Sequence, residues 1–439
     1  MSARREGMDG GRMRAPDTMA AAIAPVAAER RLAETNASID VDVLIVGGAL
    51  IGGAMACALG RAGIPVAVVD MANPAVATDA KFDGRATAIA LSSRRLLEGI
   101  GVWDKVSDSA APMLDIRVSE GGSRLFLHYD HGAVGDEPFG HMVENTHLRR
   151  ALIETMDSLE SVRVIAPAQC VRLDRGGGRV HAELSTGQRI SAQLAVAADG
   201  RGSPTREAAG IGIVMWRYDQ VAIVCTVVHE HSHRFIAHEH FLPAGPFAIL
   251  PLLGNRSSLV WTERADLAPA IMALDDEAFN DEMRRRFGDF LGHVEVVGPR
   301  WSYPLCLHFA ETAIGERLAL VGDALHGMHP IAGQGLNMGI RDVAALAEVV
   351  TDAFRLGFDI GAPDVLERYQ RWRRFDNMLM LGLTDGLNRL FSNDITPVRV
   401  ARAVGLGAVN RIPPLKRFFM RHAMGLVGEL PRLLRGQPL

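Results

Sequence analysis

Cysteine is scarce in this 439-residue chain: Cys57, Cys170, Cys225 and Cys306 stand far apart and never form a Cys-x-x-Cys pair. That spacing signals neither a zinc site nor a dithiol redox pair, and it points to a reducing compartment. Long apolar runs are missing too. None approaches the ~18 to 20 residues that span a bilayer, and the N-terminus has no basic stretch leading into an apolar segment with a cleavage site. Neither secretion nor a transmembrane anchor is expected. Aromatic residues are lean at 6%, and no charge of one sign dominates, the net charge being −4. The layout is uneven: Arg399 to Leu439 carries eight Lys/Arg against one Glu, leaving thirty-nine basic and fifty acidic residues elsewhere. This predicts a basic surface at the C-terminal end rather than a nucleic-acid-binding protein.

What is present is ordinary globular material, 48% hydrophobic and 22% charged, long enough for two or three domains. Residues 1–38 lack a sustained apolar period and read as a mobile extension. Glu6, Asp9, Asp17, Glu29 and Glu34 are too many acids for a transit peptide. From Val41 the pattern is strand (Val41 to Val46), Gly-rich turn, helix (about Ile51 to Ala62), a stop at Gly63, and a second strand (Pro65 to Val69) ending at Asp70. That is one βαβ unit. Around Val180 to Ile190 and again around Val221 to Val260, β-branched residues with scattered Pro and Gly predict a separate antiparallel sheet. From Asn337 onward the pattern is helical, with breaks near Ile360 to Pro363, Asn393 to Pro397 and Pro413-Pro414.

Three strings carry chemistry. Gly47-Gly48-Ala49-Leu50-Ile51-Gly52 joins strand to helix, and Asp70 closes the next strand eighteen residues after Gly52. In a dinucleotide site the first glycine makes the tight turn, the second lets backbone amides approach a pyrophosphate at the helix N-terminus, and the third permits close helix–strand packing. The terminal acid accepts hydrogen bonds from a ribose. Ala49 departs from the pattern by standing where the second glycine is usual, with its methyl toward the phosphate path; a small backbone shift absorbs that carbon, or binding weakens. The second string runs from Leu318 through Gly322-Asp323-Ala324 to His326, Pro330 and Gly333-Gln334-Gly335-Leu336-Asn337. A buried strand there delivers a carboxylate at a Gly turn, and a Gly-rich loop opens a long helix whose free amides face backwards. This suits a polyol hydroxyl at Asp323 and an electron-rich heterocycle edge at the helix N-terminus, or equally a strand-turn-helix with an Asp cap. The third, Ala195 to Ser203, ends a strand in Asp199-Gly200 and alone is a commonplace turn.

Taken in order with these spacings, the strings resemble the FAD-dependent aromatic monooxygenases of the p-hydroxybenzoate hydroxylase type, from about Val41 to the C-terminus. Within that superfamily the chain is most similar to the ubiquinone-biosynthesis hydroxylases. The residues that carry this are Asp83-Gly84-Arg85 through Ser92, Val143-Glu144-Asn145, Phe241-Leu242-Pro243 through Leu250-Pro251-Leu252, Gln334 through Val343, Thr384-Asp385-Gly386-Leu387 and Leu430-Pro431-Arg432-Leu433. The resemblance implies an α/β fold: a doubly wound FAD-binding domain, an antiparallel-sheet substrate domain and a helical C-terminal region. The implied divisions are 39–115, 142–215 and 300–355 for the discontinuous FAD-binding domain, 116–141 and 216–299 for the substrate domain, and 356–439 for the helical region.

The resemblance also implies roles. Gly47, Gly48, Ala49 and Gly52 face the FAD pyrophosphate and Asp70 the adenosine ribose. Arg85 lies near the phosphates or flavin ring, and Asn145 beside the cofactor. Gly322-Asp323 binds the ribityl chain, and Pro330, Gly333, Gln334, Gly335 and Asn337 wrap the isoalloxazine. Asp199-Gly200 matches the family's second dinucleotide motif. The implied reaction is ring hydroxylation of a polyprenylated phenol with molecular oxygen and a reduced pyridine nucleotide or another electron donor. The implied setting is cytoplasmic, peripherally on the inner membrane or in a quinone-biosynthesis complex. Because the cofactor supplies the difficult chemistry, no catalytic base is named. A flavin hydroxylase of a soluble aromatic shares every cofactor motif. A non-catalytic member of a biosynthetic complex has Ala49 as its only sequence argument.

Other features have plainer readings. His229, His231 and His233 alternate along an expected strand, with His238 and His240 nearby; partly exposed histidines on a hairpin are expected rather than a metal site. His326 and His329 flank the flavin loop in catalytic, packing or hydrogen-bonding roles. Leu415, Phe418, Phe419, Ala423 and Leu426 fall at helical spacing with Lys416, Arg417 and Arg421 between them. That is either a helix packed on the body or an interfacial helix on anionic lipid, and the family resemblance favours the second.

Overall fold

The computed structural model describes residues 38–78, 82–120, 126–392, 405, 409 and 411–439. The extension expected over 1–38 lies, Ser38 apart, outside the described residues, as does the break expected at Asn393 to Pro397. The fold is mixed α/β. Its central sheet has six strands in the order Ile314–Gly315, Leu318–Leu320, Leu194–Ala197, Val43–Val46, Val66–Val69 and Val162–Ile165. All pairs are parallel except the first. Val-Leu-Ile-Val and Leu-Ala-Val-Ala are buried on both faces, the signature of a covered parallel sheet.

Helix α1 (Leu50–Arg61) follows the first of these strands. It packs between α2 (Asn145–Asp157) and α3 (Gly335–Arg355). The contacts are tight because small residues line them. A Cβ at Gly53 would lie 3.5 Å from Leu152, and one at Gly339 would lie 2.6 Å from Ile51. Strand order reverses beside Val43–Val46: the chain steps one way to Val66–Val69 and Val162–Ile165, then returns to Leu194–Ala197 on the other side. In open α/β sheets ligands bind at such a switch point, outside the carboxyl ends of the strands.

The second sheet has eight strands, ordered His326–Gly327, Val294–Ala310, Ile213–His229, Arg256–Arg264, Gly245–Leu252, Ile236–Leu242, Asp115–Glu120 and Phe126–Asp130. It departs from expectation in two ways. Val180–Leu184 and Arg189–Ala192 belong to a separate four-stranded sheet, and Ile236–Leu242 pairs with Asp115–Glu120 in parallel. The parallel pair is possible because those strands come from distant parts of the chain rather than from one hairpin. Ile213–His229 and Val294–Ala310 run unbroken through residues 215–216 and 299–300, where the sequence reading drew boundaries. Among the described residues the C-terminal region holds helices α4 (Pro363–Phe391) and α5 (Pro413–Ala423) and a 3-10 turn at Arg432–Arg435. Pro413-Pro414 starts α5 instead of merely interrupting a helix, since proline suits the first turn.

Candidate functional site

The first Gly turn lies at the switch point. Gly47 has φ +97°, and a Cβ there would lie 2.4 Å from Ala198 O, so the neighbouring strand end forbids any side chain. A Cβ at Gly52 would lie 1.8 Å from Gly47 O, which is how α1 starts in contact with the turn. Gly48 N–H donates to Asp70 Oδ2 at 2.5 Å and Ala72 N–H to Asp70 Oδ1 at 2.7 Å. Asp70 therefore braces the turn, and each oxygen keeps further acceptor capacity. Ala49 is the exposed N-cap of α1 with φ −69° and no side-chain cap, so the helix's first amides are left for another acceptor.

Ile51 carries the first turn to the second. Its side chain meets both Gly322, where a Cβ would lie 3.1 Å from Ile51 Cγ1, and Gly339 on α3. Gly322, at φ +58°, opens a short 3-10 turn through Ala324. Asp323 differs from the expected buried carboxylate: its side chain is exposed, while its backbone oxygen accepts from His308 Nε2 at 2.9 Å. The turn is held from below. Asp342, fully buried on α3, accepts from Gly322 N–H at 3.1 Å, bonds His326 Nε2 at 2.7 Å and accepts from Arg373 Nε of α4 at 2.8 Å. Burial works to raise the Asp342 pKa, but His326 and Arg373 outweigh it and hold the carboxyl below its ordinary range. Asp376 extends the network by pairing with Arg341 and Arg373. His326 thus has the hydrogen-bonding role considered for it. Asp342 was missed as a functional residue. Its signal was an acid next to Arg341 and directly before the apolar helical run Val343 to Ala347, where burial demands partners.

Asn337 is a buried clamp: Nδ2 donates to Ala88 O at 2.9 Å and Gly333 O at 3.1 Å, and Oδ1 accepts from Ala90 N–H at 2.9 Å. It ties the loop Pro330–Gly335 to strand Ala86–Ala90, with Gly333 at φ +60°. Gln334 is buried, whereas Gly335 is exposed at the start of α3 with no atom within 4 Å of a would-be Cβ. Asn145 starts α2 and accepts from Thr87 Oγ1 at 2.5 Å. Arg85 pairs with Asp83 at 2.7 Å and stacks 4.5 Å over Trp301. Asp199 accepts from Ser203 Oγ at 2.5 Å and from Thr205 N–H at 3.1 Å, so its carboxylate is occupied within its own turn. Gly200, at φ +86°, is open.

His329, one residue before Pro330, is fully buried, and neither ring nitrogen has a hydrogen-bond partner among the described residues. Burial lowers its pKa to about 4, keeping the ring neutral. Tyr218 packs edge-on against it at 5.4 Å and donates to Asp385 of α4 at 2.8 Å. The hairpin expectation holds for His231, which is exposed, and for His238 and His240, half-buried on strand Ile236–Leu242, but not for His229 and His233. The strand ends at His229, and His229 and His233 are buried and bonded to His231 O and Leu252 O at 2.7 and 2.8 Å. No group of His, Cys, Asp or Glu among the described residues is arranged to hold a metal.

The donor set fits a dinucleotide. Gly47 and Gly52 admit no Cβ at the start of α1, two helix N-termini lack side-chain caps, an exposed Asp323 lies next to the first turn, and the buried His329 beside the loop has no hydrogen-bond partner among the described residues. Residues 40–375 match the FAD-binding-domain family model. The chain is 57% identical over 401 residues to ubiquinone hydroxylase UbiL of Rhodospirillum rubrum, covering 91% of this chain and 93% of the relative. It is 35% identical over 387 residues to the 3-demethoxyubiquinol 3-hydroxylase of Escherichia coli, covering 88% and 98%. Among solved structures, p-nitrophenol 4-monooxygenase PnpA of Pseudomonas putida matches with a TM-score of 0.76 at 20% identity, over 89% of this chain and 99% of that one, a likeness of fold. The chain belongs to the FAD-binding-domain family and, within it, to the FAD-dependent hydroxylases of ubiquinone biosynthesis.

Proposed function

We propose that this enzyme hydroxylates the ring of a polyprenylated phenol and does so at a membrane surface. The observation that favours a lipid-borne substrate over a soluble aromatic is an apolar stripe on the outside of the C-terminal helices. On α4, Phe375 is 76% exposed, and Met378, Leu379, Leu383, Leu387 and Leu390 follow it along the helix, all exposed. Leu415, Phe418 and Phe419 of α5 are exposed as well. Patches of this kind on a soluble fold mark interaction sites, and Lys416, Arg417 and Arg421 beside them suit anionic headgroups. No helix among the described residues is long and apolar enough to cross a membrane.

In this reading the six-stranded sheet with α1 to α3 is the doubly wound FAD-binding body, and the eight-stranded sheet is the substrate domain. Gly47, Gly48, Ala49 and Gly52 receive the pyrophosphate, Asp70 the adenosine ribose, and Asp323 the ribityl chain. Pro330, Gly333, Gln334 and Gly335 lie along the flavin ring, with Asn337 fixing their loop. Arg85 and Asn145 sit at the margin of the site, and Asp199-Gly200 near the pyridine-nucleotide approach. Bound FAD, reduced by a pyridine nucleotide or another donor, supplies activated oxygen to an electron-rich ring. The chain positions that ring, excludes water, and holds the Gly322–Ala324 turn through Asp342 and the Pro330–Gly335 loop through Asn337.

The test uses the full chain in a host lacking its ubiquinone ring hydroxylase. Wild type restores quinone synthesis and purifies with a flavin spectrum. Replacing Lys416, Arg417 and Arg421 with Glu lowers binding to anionic liposomes by about a hundredfold, reduces synthesis and leaves the flavin spectrum intact. Unchanged liposome binding and synthesis sink the membrane reading; loss of flavin or aggregation shows that α5 belongs to the folded core.

A further inference from the structure

The eight-stranded sheet has two unlike faces. On the outer one, Ile223, Cys225, Leu259, Trp261, Phe247 and Ile249 form a sealed core with the helix Asp276–Phe287. One residue along each strand gives the inner face. There a single register row runs Trp301, Val224, Val260, Ala248, Glu239 and Val118. All but Ala248 keep intermediate exposure although they lie within a broad sheet, as residues lining a cleft do.

The neighbouring rows close this cleft. On one side Ala237 and Leu250 pack in an apolar cluster with Ala88, Met420 and Met424. On the other Phe241 stacks on Phe391 of α4 at 4.0 Å. Ala88 leads back to the cofactor loop, since a Cβ at Gly333 would lie 2.9 Å from Ala88 Cβ. The row therefore opens between the substrate sheet and the loop placed at the flavin ring. Glu239 is the ionisable side chain on that row.

We propose that Glu239 is a catalytic residue that receives the substrate's phenolic hydroxyl and takes its proton during hydroxylation. The assignment rests on the proposed function above. The phenol O–H bond breaks, a carboxyl O–H bond forms, and the electron pair left on oxygen enriches the ring for attack. The proton returns to the product oxygen, so the residue ends the cycle as it began.

Burial pushes the Glu239 carboxyl up to about 7, with no charged neighbour contributing. A base in that range is better matched to a phenol than an ordinary carboxylate. The other ionisable groups of this face are engaged or uncharged: Arg256 pairs with Glu144 at 2.8 Å, Tyr303 accepts from Arg85 at 3.5 Å, and burial raises the Tyr129 pKa and keeps that phenol protonated. His238 and His240 of the same strand project from the opposite face, as contacts with Phe290 and Ser119 show. Arg117 on the adjacent strand lies over Phe126. Asp385 is bonded to Tyr218 and Arg389, Arg341 is paired with Asp376, and Arg85 with Asp83. His329 is neutral.

The test uses the purified flavin-loaded enzyme and a short-chain 2-prenylphenol. Because the carboxylate is the active form, wild-type kcat rises as pH increases through about 7. Glu239→Gln lowers kcat by about a hundredfold, removes that acidic limb, shifts KM by less than threefold and leaves the flavin absorbance unchanged. Glu239→Asp restores part of the rate with the limb. In wild type, a ring-fluorinated prenylphenol acidic enough to bind already ionised needs no base and loses the acidic limb, a readout independent of any variant's folding. Glu239→Gln activity within threefold of wild type with the limb retained, or a limb that persists in wild type with the ionised substrate, overturns the assignment while the function stands. If wild type hydroxylates no prenylphenol, the proposed function falls and the assignment with it.

Discussion

The turns at Gly47–Gly52 and Gly322–Asp323 touch through Ile51, yet they are held by different forces. The first is steric and backbone-bonded: two glycines admit close approach by strand Leu194–Ala197 and helix α1, and Asp70 accepts from two nearby amides. Apart from Asp70, Ala72 and the strand end at Ala198, its parts lie within six residues of sequence. The second turn has little local support. Its amide is held by Asp342, twenty residues away, and Asp342 depends in turn on Arg373 from a third element. A turn built from local packing tolerates changes elsewhere, whereas one hung on a buried ion network fails when any member is removed.

The largest expected effect is therefore at Asp342. Asp342→Ala removes the acceptor of His326 Nε2, of Gly322 N–H and of Arg373 Nε, leaving Arg373 only Asp376 and Asn377, and breaking such a buried pair costs about 3 to 5 kcal/mol. Thermal unfolding should drop well below wild type, with flavin lost from whatever remains folded. The pH dependence has a definite sign. The folded carboxyl is held below its ordinary range, so its contribution is fully present above about pH 4, the unfolded value, and is lost as pH falls through the folded value. Asp342→Ala should lack that acid-sensitive component. A variant with wild-type melting and flavin content would show that the second turn is locally self-sufficient after all.

Asp323→Ala separates cofactor binding from this scaffold. The side chain is exposed, so the substitution should leave the melting of flavin-free protein within about 0.5 kcal/mol of wild type. It should nevertheless remove most bound flavin, since each hydroxyl bond to an ionised carboxylate contributes about 1.5 to 3 kcal/mol. Undiminished flavin absorbance in the folded variant would remove Asp323 from the site.

The contrast also sets what the sequence revealed. The βαβ unit and its glycines were legible because turn, helix start and strand end are near neighbours with fixed conformational demands, and the boundaries moved by no more than two residues. Asp342 was legible only as part of a motif, because its role depends on Arg373 arriving from α4. Glu239 gave no signal, since an alternating His-Glu-His strand looks the same whether Glu faces water or a cleft. The parallel pairing of Ile236–Leu242 with Asp115–Glu120 was hidden for the same reason: no local pattern records which distant strand lies alongside. Burial of His229 and His233 likewise follows from the sheet closing over them, not from their own spacing.

The smallest expected effect tests whether the first turn is as local as it looks. Ala49 replaces the usual glycine, yet its φ of −69° is open to any residue and its side chain is exposed, so the backbone needs no glycine there. Its methyl lies beside the first amides of α1, where a phosphate would approach. Ala49→Gly removes that methyl without altering the packing at Gly47 or Gly52. As an N-cap, glycine is if anything favoured over alanine, while greater freedom in the unfolded chain acts in the opposite direction by about 0.4 to 1 kcal/mol. These nearly cancel, so melting of the flavin-free protein should barely move. Flavin occupancy should equal or exceed wild type, measured as bound flavin per protein after identical purification. A marked loss of flavin would mean that the turn is organised around the alanine methyl, and that its conformation is set by more than the two glycines and Asp70.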